Sequence, residues 1–340
     1  MLLYIVKRLL IGALTLLVIM AVSYLMLRFA PGDPSRSNLL SESASTAVGD
    51  AAKGGFKGNV SVRDQLYLDK PIWVGFGRWL QGVLCQWEWG NSVAVEPGRP
   101  VSDLILERLG LTVKLNLAAL TLAWLIAIGW GVAAAMHPGS WFDRSSSLFL
   151  FALYSLPVMW VALLLQLFFG YGGIWGVLPL KGITVPGGET MSIWQLQLEH
   201  VKHFLLPVFC LSYGALAGLS RYARSGMLET LKCDYVNTAR AKGLSSGEVI
   251  WHHAFRNALL PLITLAGGML PALISGSVIV EYVFNLPGMG GLSLQALSSR
   301  DYPLLMALFA FSGALTLIGL LAADLLCTAA EPRIKLSRRR

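Results

Sequence analysis

Apolar residues in this chain gather into six long runs, at about residues 9–27, 115–136, 148–170, 204–220, 259–280 and 302–323, with polar stretches between them. A helix needs about 20 apolar residues to cross roughly 30 Å of hydrocarbon, and each run approaches or exceeds that length. Runs this long, without turn residues every few positions, predict helices that are apolar on every side. The first run follows Lys7 and Arg8, as the core of a secretory signal would. It is too long for one, and Ala30-Pro31-Gly32-Asp33-Pro34 makes a poor cleavage site, so a retained helix is expected. The pattern predicts an all-α integral membrane protein with six transmembrane helices.

Two polar stretches are long enough to hold structure of their own. In the first, 30–108, the part from Ser35 to Gly58 is rich in Ser, Ala and Gly and reads as a linker. The part from Leu66 to Leu84 places Trp73, Phe76, Trp79 and Leu80 at helical spacing. That spacing predicts a short helix lying on the membrane surface, either as a packed cap over the span ends with no ligand role or in contact with substrate. In the second stretch, Arg221 to Asn257, Glu229–Lys242 reads as helix, Gly243 with Ser245 and Ser246 breaks it, and Glu248–Leu260 resumes. Ala239, Ala241 and Gly243 carry almost no side chain, so another protein's backbone can approach closely, with His252, His253 and Arg256 as polar contacts. This cassette predicts a docking surface, although an ordinary solvated helical hairpin has the same composition. The expected divisions are a first helix at 1–29, a loop region at 30–108, a core at 109–328 that includes the 221–258 cassette, and a basic tail at 329–340.

Composition supports lipid as the solvent. The chain is 55% hydrophobic and 14% charged, with mean hydropathy +0.61, whereas soluble domains are about a quarter charged. The net charge of +8 comes largely from Lys7, Arg8, Arg144, Arg221, Arg224, Lys232, Arg240, Lys242, Arg256 and the 333–340 tail. If six helices alternate, all of these fall on one side, which makes that side and both termini cytoplasmic. The same distribution accounts for the basic balance without nucleic acid, for which no folded basic domain is available.

Cys85, Cys210, Cys233 and Cys327 form no CxxC pair, so neither a disulfide framework nor a zinc site is expected. No Gly-Lys dipeptide occurs, which excludes a Walker A phosphate loop. Glu199, His200 and His203 have a spacing that suits a metal, but they sit where a helix enters the membrane and polar residues are common, so no metal is expected. The spans lack the ionisable chains of a proton-coupled transporter, and any transport must draw its energy from elsewhere. Lys114 and Asp324 lie near span ends, Asp324 on the side of Lys7 and Arg8, where an ion pair is expected. Gly129 with Ala133, and Gly214 with Gly218, have the small-residue spacing of close helix contacts. Gly267, Gly268, Pro271 and Gly276 suit either a bending gate or tight packing.

Asn237-Thr238-Ala239, then Gly243, then His253-Ala254-Phe255-Arg256-Asn257-Ala258-Leu259-Leu260-Pro261 resemble the EAA loop of ATP-binding-cassette importer permeases of the dipeptide and oligopeptide group. "YIVKRLL" at 4–10, "APGDP" at 30–34, "DKPIWVGFGRWL" at 69–80, "WGNS" at 89–92, "RPVSDLILERLGLTVKL" at 99–115, "EYVFNLPGMGGL" at 281–292, "SRDYP" at 299–303 and "EPRIK" at 331–335 extend the resemblance over nearly the whole chain. It departs at Asn237, where many members have Glu, and at Glu331, where Asp is usual.

The resemblance implies the type I importer permease fold and the first, B-type, transmembrane subunit of such a system. It implies an inner-membrane protein that passes short peptides from periplasm to cytoplasm; nickel complexes, glutathione and opines are carried by similar permeases. It implies no catalytic residue and no cofactor in this chain, ATP and Mg being held by two cytoplasmic ATPase subunits. The other implied partners are a homologous second permease, a periplasmic substrate-binding protein and membrane lipid. On this resemblance Thr238, Ala239, Arg240, Ala241, Lys242, Gly243, Leu244, His253, Arg256 and Asn257 couple to the ATPase. Glu281, Phe284, Pro287, Gly288, Arg300 and Asp301 form a periplasmic gate or binding-protein contact, or else fix the loop that carries them. A secondary transporter or channel, and a membrane anchor for an enzyme complex, are the readings from other classes; uptake without any ATPase marks the former.

Overall fold

The computed structural model describes residues 2–29, 62–183, 185, 191–269, 273 and 276–330. The Ala30–Pro34 segment, the Ser35–Gly58 linker, Pro271 and the tail from residue 331 lie outside the described residues. The main helices are α1 Leu2–Phe29, α2 Ile72–Gln81, α3 Val101–Met136, α4 Trp141–Ser155, α5 Val158–Phe169, α6 Ile193–Thr230, α7 Asp234–Ala241, α8 Arg256–Met269, α9 Val278–Val283, α10 Met289–Ser299 and α11 Tyr302–Ala330. Among the described residues there is no strand, only two isolated bridges.

Among the described residues four helices are long and apolar enough to cross a membrane: Val6–Phe29 within α1, then α3, α6, and Tyr302–Leu325 within α11. The pair α4 and α5 makes a fifth if it counts as one span. The continuous helix expected at 148–170 is corrected here, because the chain bends by 98° between α4 and α5. Pro157 has no N–H to continue the ladder, and its ring pushes Leu156 into an extended conformation with φ −79° and ψ 127°. The carbonyl of Leu156 that this frees accepts from the Tyr213 hydroxyl on α6 at 2.8 Å, so the break leaves no orphaned acceptor there. Of the run at 259–280, α8 is described up to Met269; Leu273 and the residues from Gly276 onward are described as well.

The described chain divides into two compact units. The first comprises residues 1–111 and 288–317. Its core joins Met20 and Tyr24 of α1, Trp79 of α2, Leu104 and Ile105 of α3, Met289 and Leu292 of α10 and the Leu304–Leu308 turns of α11. The expected 109–328 core is therefore divided, since 288–317 packs with N-terminal segments. In α2 Trp79 is buried in this core and Phe76 and Leu80 pack against the same cluster, whereas Trp73, on the first turn, is 82% exposed.

The second unit comprises residues 112–287 and 318–340. Within it α3 and α6 cross at Gly131, where a Cβ would lie 2.6 Å from the Ala223 Cβ and 2.7 Å from the Ser220 carbonyl. No other residue fits that approach without moving the helices. At Gly129, Gly214 and Gly218 a Cβ would instead meet nothing within 4 Å among the described residues.

Candidate functional site

The polar cassette follows directly from α6. Asp234 in the first turn of α7 and Arg240 in its last match the helix dipole. Gly243 then takes φ +81°, the left-handed conformation that closes a helix, with its N–H on the Arg240 carbonyl at 3.0 Å. The next turn opens on a reciprocal cap. The Ser245 hydroxyl accepts from the Glu248 N–H at 3.3 Å, and a Glu248 carboxylate oxygen accepts from the Ser245 N–H at 3.0 Å and its hydroxyl at 2.8 Å. The hydroxyl and then the backbone donor hold the Glu248 carboxyl below the usual carboxylate range. Val249–Phe255 continues as a π-helical segment into α8.

Beneath the cassette lies one apolar core: Val132 and Ala135 of α3, Met227 of α6, Val236 and Ala239 of α7, Val249 and Ala254 of the π-helical segment, and Ala258 of α8. Ala239 was expected on the docking surface; it is corrected to a core position, 4% exposed, because it shares the inward face of α7 with Val236 three residues earlier. Thr238, Arg240, Ala241, Lys242, Gly243 and Leu244 are exposed along one rim, with Arg256 and Asn257 exposed on α8 and His253 half-buried. Thr238 and Asn257 spend their polar groups on their own helical turns, donating to the carbonyls of Asp234 at 2.9 Å and His253 at 3.0 Å. Beside the rim Met136, Leu231, Arg240, Leu244, Val249 and Ile250 wall a cavity of about 290 Å³.

A bidentate ion pair that sequence reasoning missed braces the same region. Arg224 of α6 donates from Nε and Nη2 to the two carboxylate oxygens of Asp143 at 2.6 and 2.7 Å, and the Gly139 N–H adds a third donor at 2.9 Å. The Asp143 side chain is 5% exposed and that of Arg224 33%. Arg224 counted in the sequence only as a positive charge; the available signal was Ser140 with Asp143, an N-cap spacing that marks where α4 begins. Replacing Arg224 with alanine strands a buried carboxylate, and a loss of about 3–5 kcal/mol is expected. In thermal melts the Asp143→Ala/Arg224→Ala double variant should lose clearly less than the two single losses added together.

The residues expected at the opposite end are mostly interior. Glu281 is 3% exposed and accepts from the Thr112 hydroxyl at 3.2 Å; Phe284 is 2% exposed, Gly288 is buried and Pro287 half-buried. The Phe284 carbonyl accepts from the Gly182 N–H at 2.8 Å, and the Gly182 carbonyl lies 2.9 Å from Nδ1 of His203. Glu199 pairs with Lys202 at 2.6 Å.

Arg300 and Asp301 part company. Arg300 is exposed in a left-handed conformation with φ +56° that ends α10, while Asp301 is completely buried. One Asp301 oxygen accepts from the Ser92 hydroxyl at 2.5 Å and from the N–H groups of Val93, Ala94 and Val95 at 3.1, 3.0 and 3.1 Å; the other accepts from the Leu304 N–H at 3.3 Å. Of the two readings kept open for Asp301, its burial and hydrogen bonds fit the fixing of a loop: it holds residues 92–95 and caps α11. Among the described residues no group of three His, Cys, Asp or Glu is placed to hold a metal ion.

Residues 127–336 match the family model described as "Binding-protein-dependent transport system inner membrane component". Residues 1–116 match the model described as "Binding-prot-dependent transport system membrane comp, N-term". The chain is 36% identical over 332 residues to the oligopeptide transport system permease protein AppB of Bacillus subtilis (strain 168), covering 98% of this chain and 99% of that protein. It is 30% identical over 348 residues to the dipeptide transport system permease protein DppB of Alkalihalophilus pseudofirmus, covering 98% of this chain and all of that protein.

Proposed function

Because the chain belongs to the family of binding-protein-dependent transport system inner membrane components, we propose that it is the permease subunit that passes short peptides into the cytoplasm, worked by separate ATPase subunits that grip its cassette. The peptide class rests on relatives named oligopeptide and dipeptide permeases over their full length. Both termini and the cassette face the cytoplasm, the side on which the short-loop Lys and Arg residues collect. A homologous second permease completes the pathway, and a periplasmic binding protein delivers the peptide.

The observation that carries the ATPase coupling is the core under the cassette. An exposed rim from Thr238 to Leu244 stands on side chains that belong at once to α3, α6 and α8. Close-packed interiors transmit displacement instead of absorbing it, so a force on the rim moves three helices together. The Arg224–Asp143 pair extends the same rigid group to α4. Reversing a strongly biased two-state equilibrium takes about 5.5 kcal/mol of differential binding, which calls for a stiff contact of this kind. The cavity beside Arg240 and Leu244 mixes aliphatic side chains with the Arg240 cation and the Ser246 hydroxyl, a seat for a partner side chain with an apolar stem and an acceptor tip.

The test is affinity purification of the full chain in mild detergent from the membranes of its own cell, followed by reconstitution in vesicles. An ATP hydrolase should co-elute, and dipeptide uptake should require ATP and stop with vanadate. Uptake by vesicles that hold this chain alone overturns the proposal in favour of a secondary transporter or channel. Copurification of a hydrolase with no solute flux under any condition overturns it in favour of a membrane anchor.

A further inference from the structure

We propose that the outward face of α2 is a lipid-binding face, lying in the phospholipid headgroup layer at the level where α1 leaves the hydrocarbon. The depth of α2 is set by its tethers to α1. The Tyr24 hydroxyl donates to the Leu66 carbonyl at 2.7 Å, and Nη2 of Arg28 donates to the Lys70 carbonyl at 2.6 Å. The Phe76 ring lies 5.6 Å from that of Tyr24, and Gly75 leaves no room for a side chain against the Tyr24 hydroxyl. These contacts fix α2 beside the final two turns of α1.

Those two turns lie at the membrane boundary. Between Lys7–Arg8 and Arg28 the uncharged stretch 9–27 makes about 28 Å of helix, close to the roughly 30 Å of hydrocarbon. With Lys7 and Arg8 at one boundary, Arg28 falls at the other. Arg28, the first charged residue after the apolar run, turns its guanidinium inward onto the Lys70 carbonyl, with Nη1 buried as well. On the same turns Met26 and Phe29 are 70% and 73% exposed, apolar side chains of the kind a span presents to acyl chains.

The chemistry of that outer side suits the location. Trp79 and Gly75 point into the core, while Trp73 at 82%, Val74, Gly77 and, past the π-helical turn at Gly82–Gln86, Leu84 at 69% are exposed. Trp73 and Gly77 are four residues apart, so they share one face. An indole has an apolar body and one N–H donor, which gives Trp its preference for the boundary between acyl chains and headgroups. Exposed Arg78 on the same helix supplies a cation for lipid phosphate. Phe76, Trp79 and Leu80 pack on the core of the unit, while Trp73, on the first turn of the helix, is left open to lipid.

The test uses the full chain in nanodiscs of phosphatidylethanolamine and phosphatidylglycerol, with its native cysteines replaced and a nitroxide attached through Trp73→Cys. Gly77→Cys provides a second site, where an added Cβ meets nothing within 4 Å and the fold is undisturbed. Gly247→Cys on the cassette, equally open, is the water reference. Power saturation should show collisions with dissolved oxygen exceeding those with a water-soluble nickel chelate several-fold at 73 and 77, and the reverse at 247. Nickel-dominated collisions at 73 and 77 place the face in water and overturn the proposal. Exclusion of both reagents there means that a protein surface covers it, and overturns it equally.

Discussion

Replacement of Asp301 by alanine is expected to destabilise the first unit by about 1–3 kcal/mol, the cost of donors left without their acceptor. The Ser92 hydroxyl and the N–H groups of Val93, Ala94 and Val95 converge on one carboxylate oxygen, and none of these donors has another partner of comparable strength on that side. Removal of the carboxylate leaves the buried Ser92 hydroxyl and the three half-buried amides without their acceptor and uncaps α11 at the Leu304 N–H. Hydrogen exchange at Val93–Val95 should accelerate by about a hundredfold, equivalent to roughly 2.7 kcal/mol. Asp301→Asn keeps an acceptor oxygen but adds an NH2 group facing donors, and should fall between wild type and alanine. Unchanged exchange at all three amides in Asp301→Ala would show that the nest does not hold the loop.

Burial of Asp301 also shows why the site was less legible than the fold. Helices were readable because a long apolar run has few alternatives in lipid. Pro157 was equally readable as a helix breaker, yet an unbroken apolar run on both sides of it concealed the 98° bend. Asp301 was read beside its neighbour Arg300, whereas its partner Ser92 lies 209 positions away. Arg224 and Asp143 are 81 positions apart, and Arg224 served only to orient the chain. Pairings of that range are fixed by packing, and no local pattern encodes them.

Small residues were ambiguous for a different reason. The lack of a side chain allows close approach but does not say by what. Gly131 admits α6, Gly129 two residues earlier admits nothing among the described residues, and both had the same credentials in the sequence. Ala239 turned inward with Val236, so the part of the cassette open to a partner is narrower than composition implied: the rim at Arg240–Leu244. The Ser245–Glu248 cap, by contrast, is a local S-x-x-E pattern, and its geometry follows from that spacing.

That narrowing makes Gly243 the sharpest probe of coupling. Dipeptide uptake by the assembled transporter is expected to fall at least about tenfold in Gly243→Leu, a change equal to roughly 1.4 kcal/mol or more in the coupling step. Two separable effects act at this position. At φ +81° any residue with a Cβ is strained by about 1–2 kcal/mol. A Cβ there meets nothing within 4 Å, so bulk causes no clash inside this chain and can only obstruct what docks from outside. Gly243→Ala carries the strain with little bulk; Gly243→Asn carries bulk with less strain, since Asn tolerates the left-handed region. If the rim is the seat of the ATPase, uptake should rank glycine, then alanine, then asparagine and leucine, while ATP hydrolysis persists and the chain inserts normally. If strain alone governs, asparagine should outperform alanine. Full uptake in Gly243→Leu would remove the rim from the coupling path.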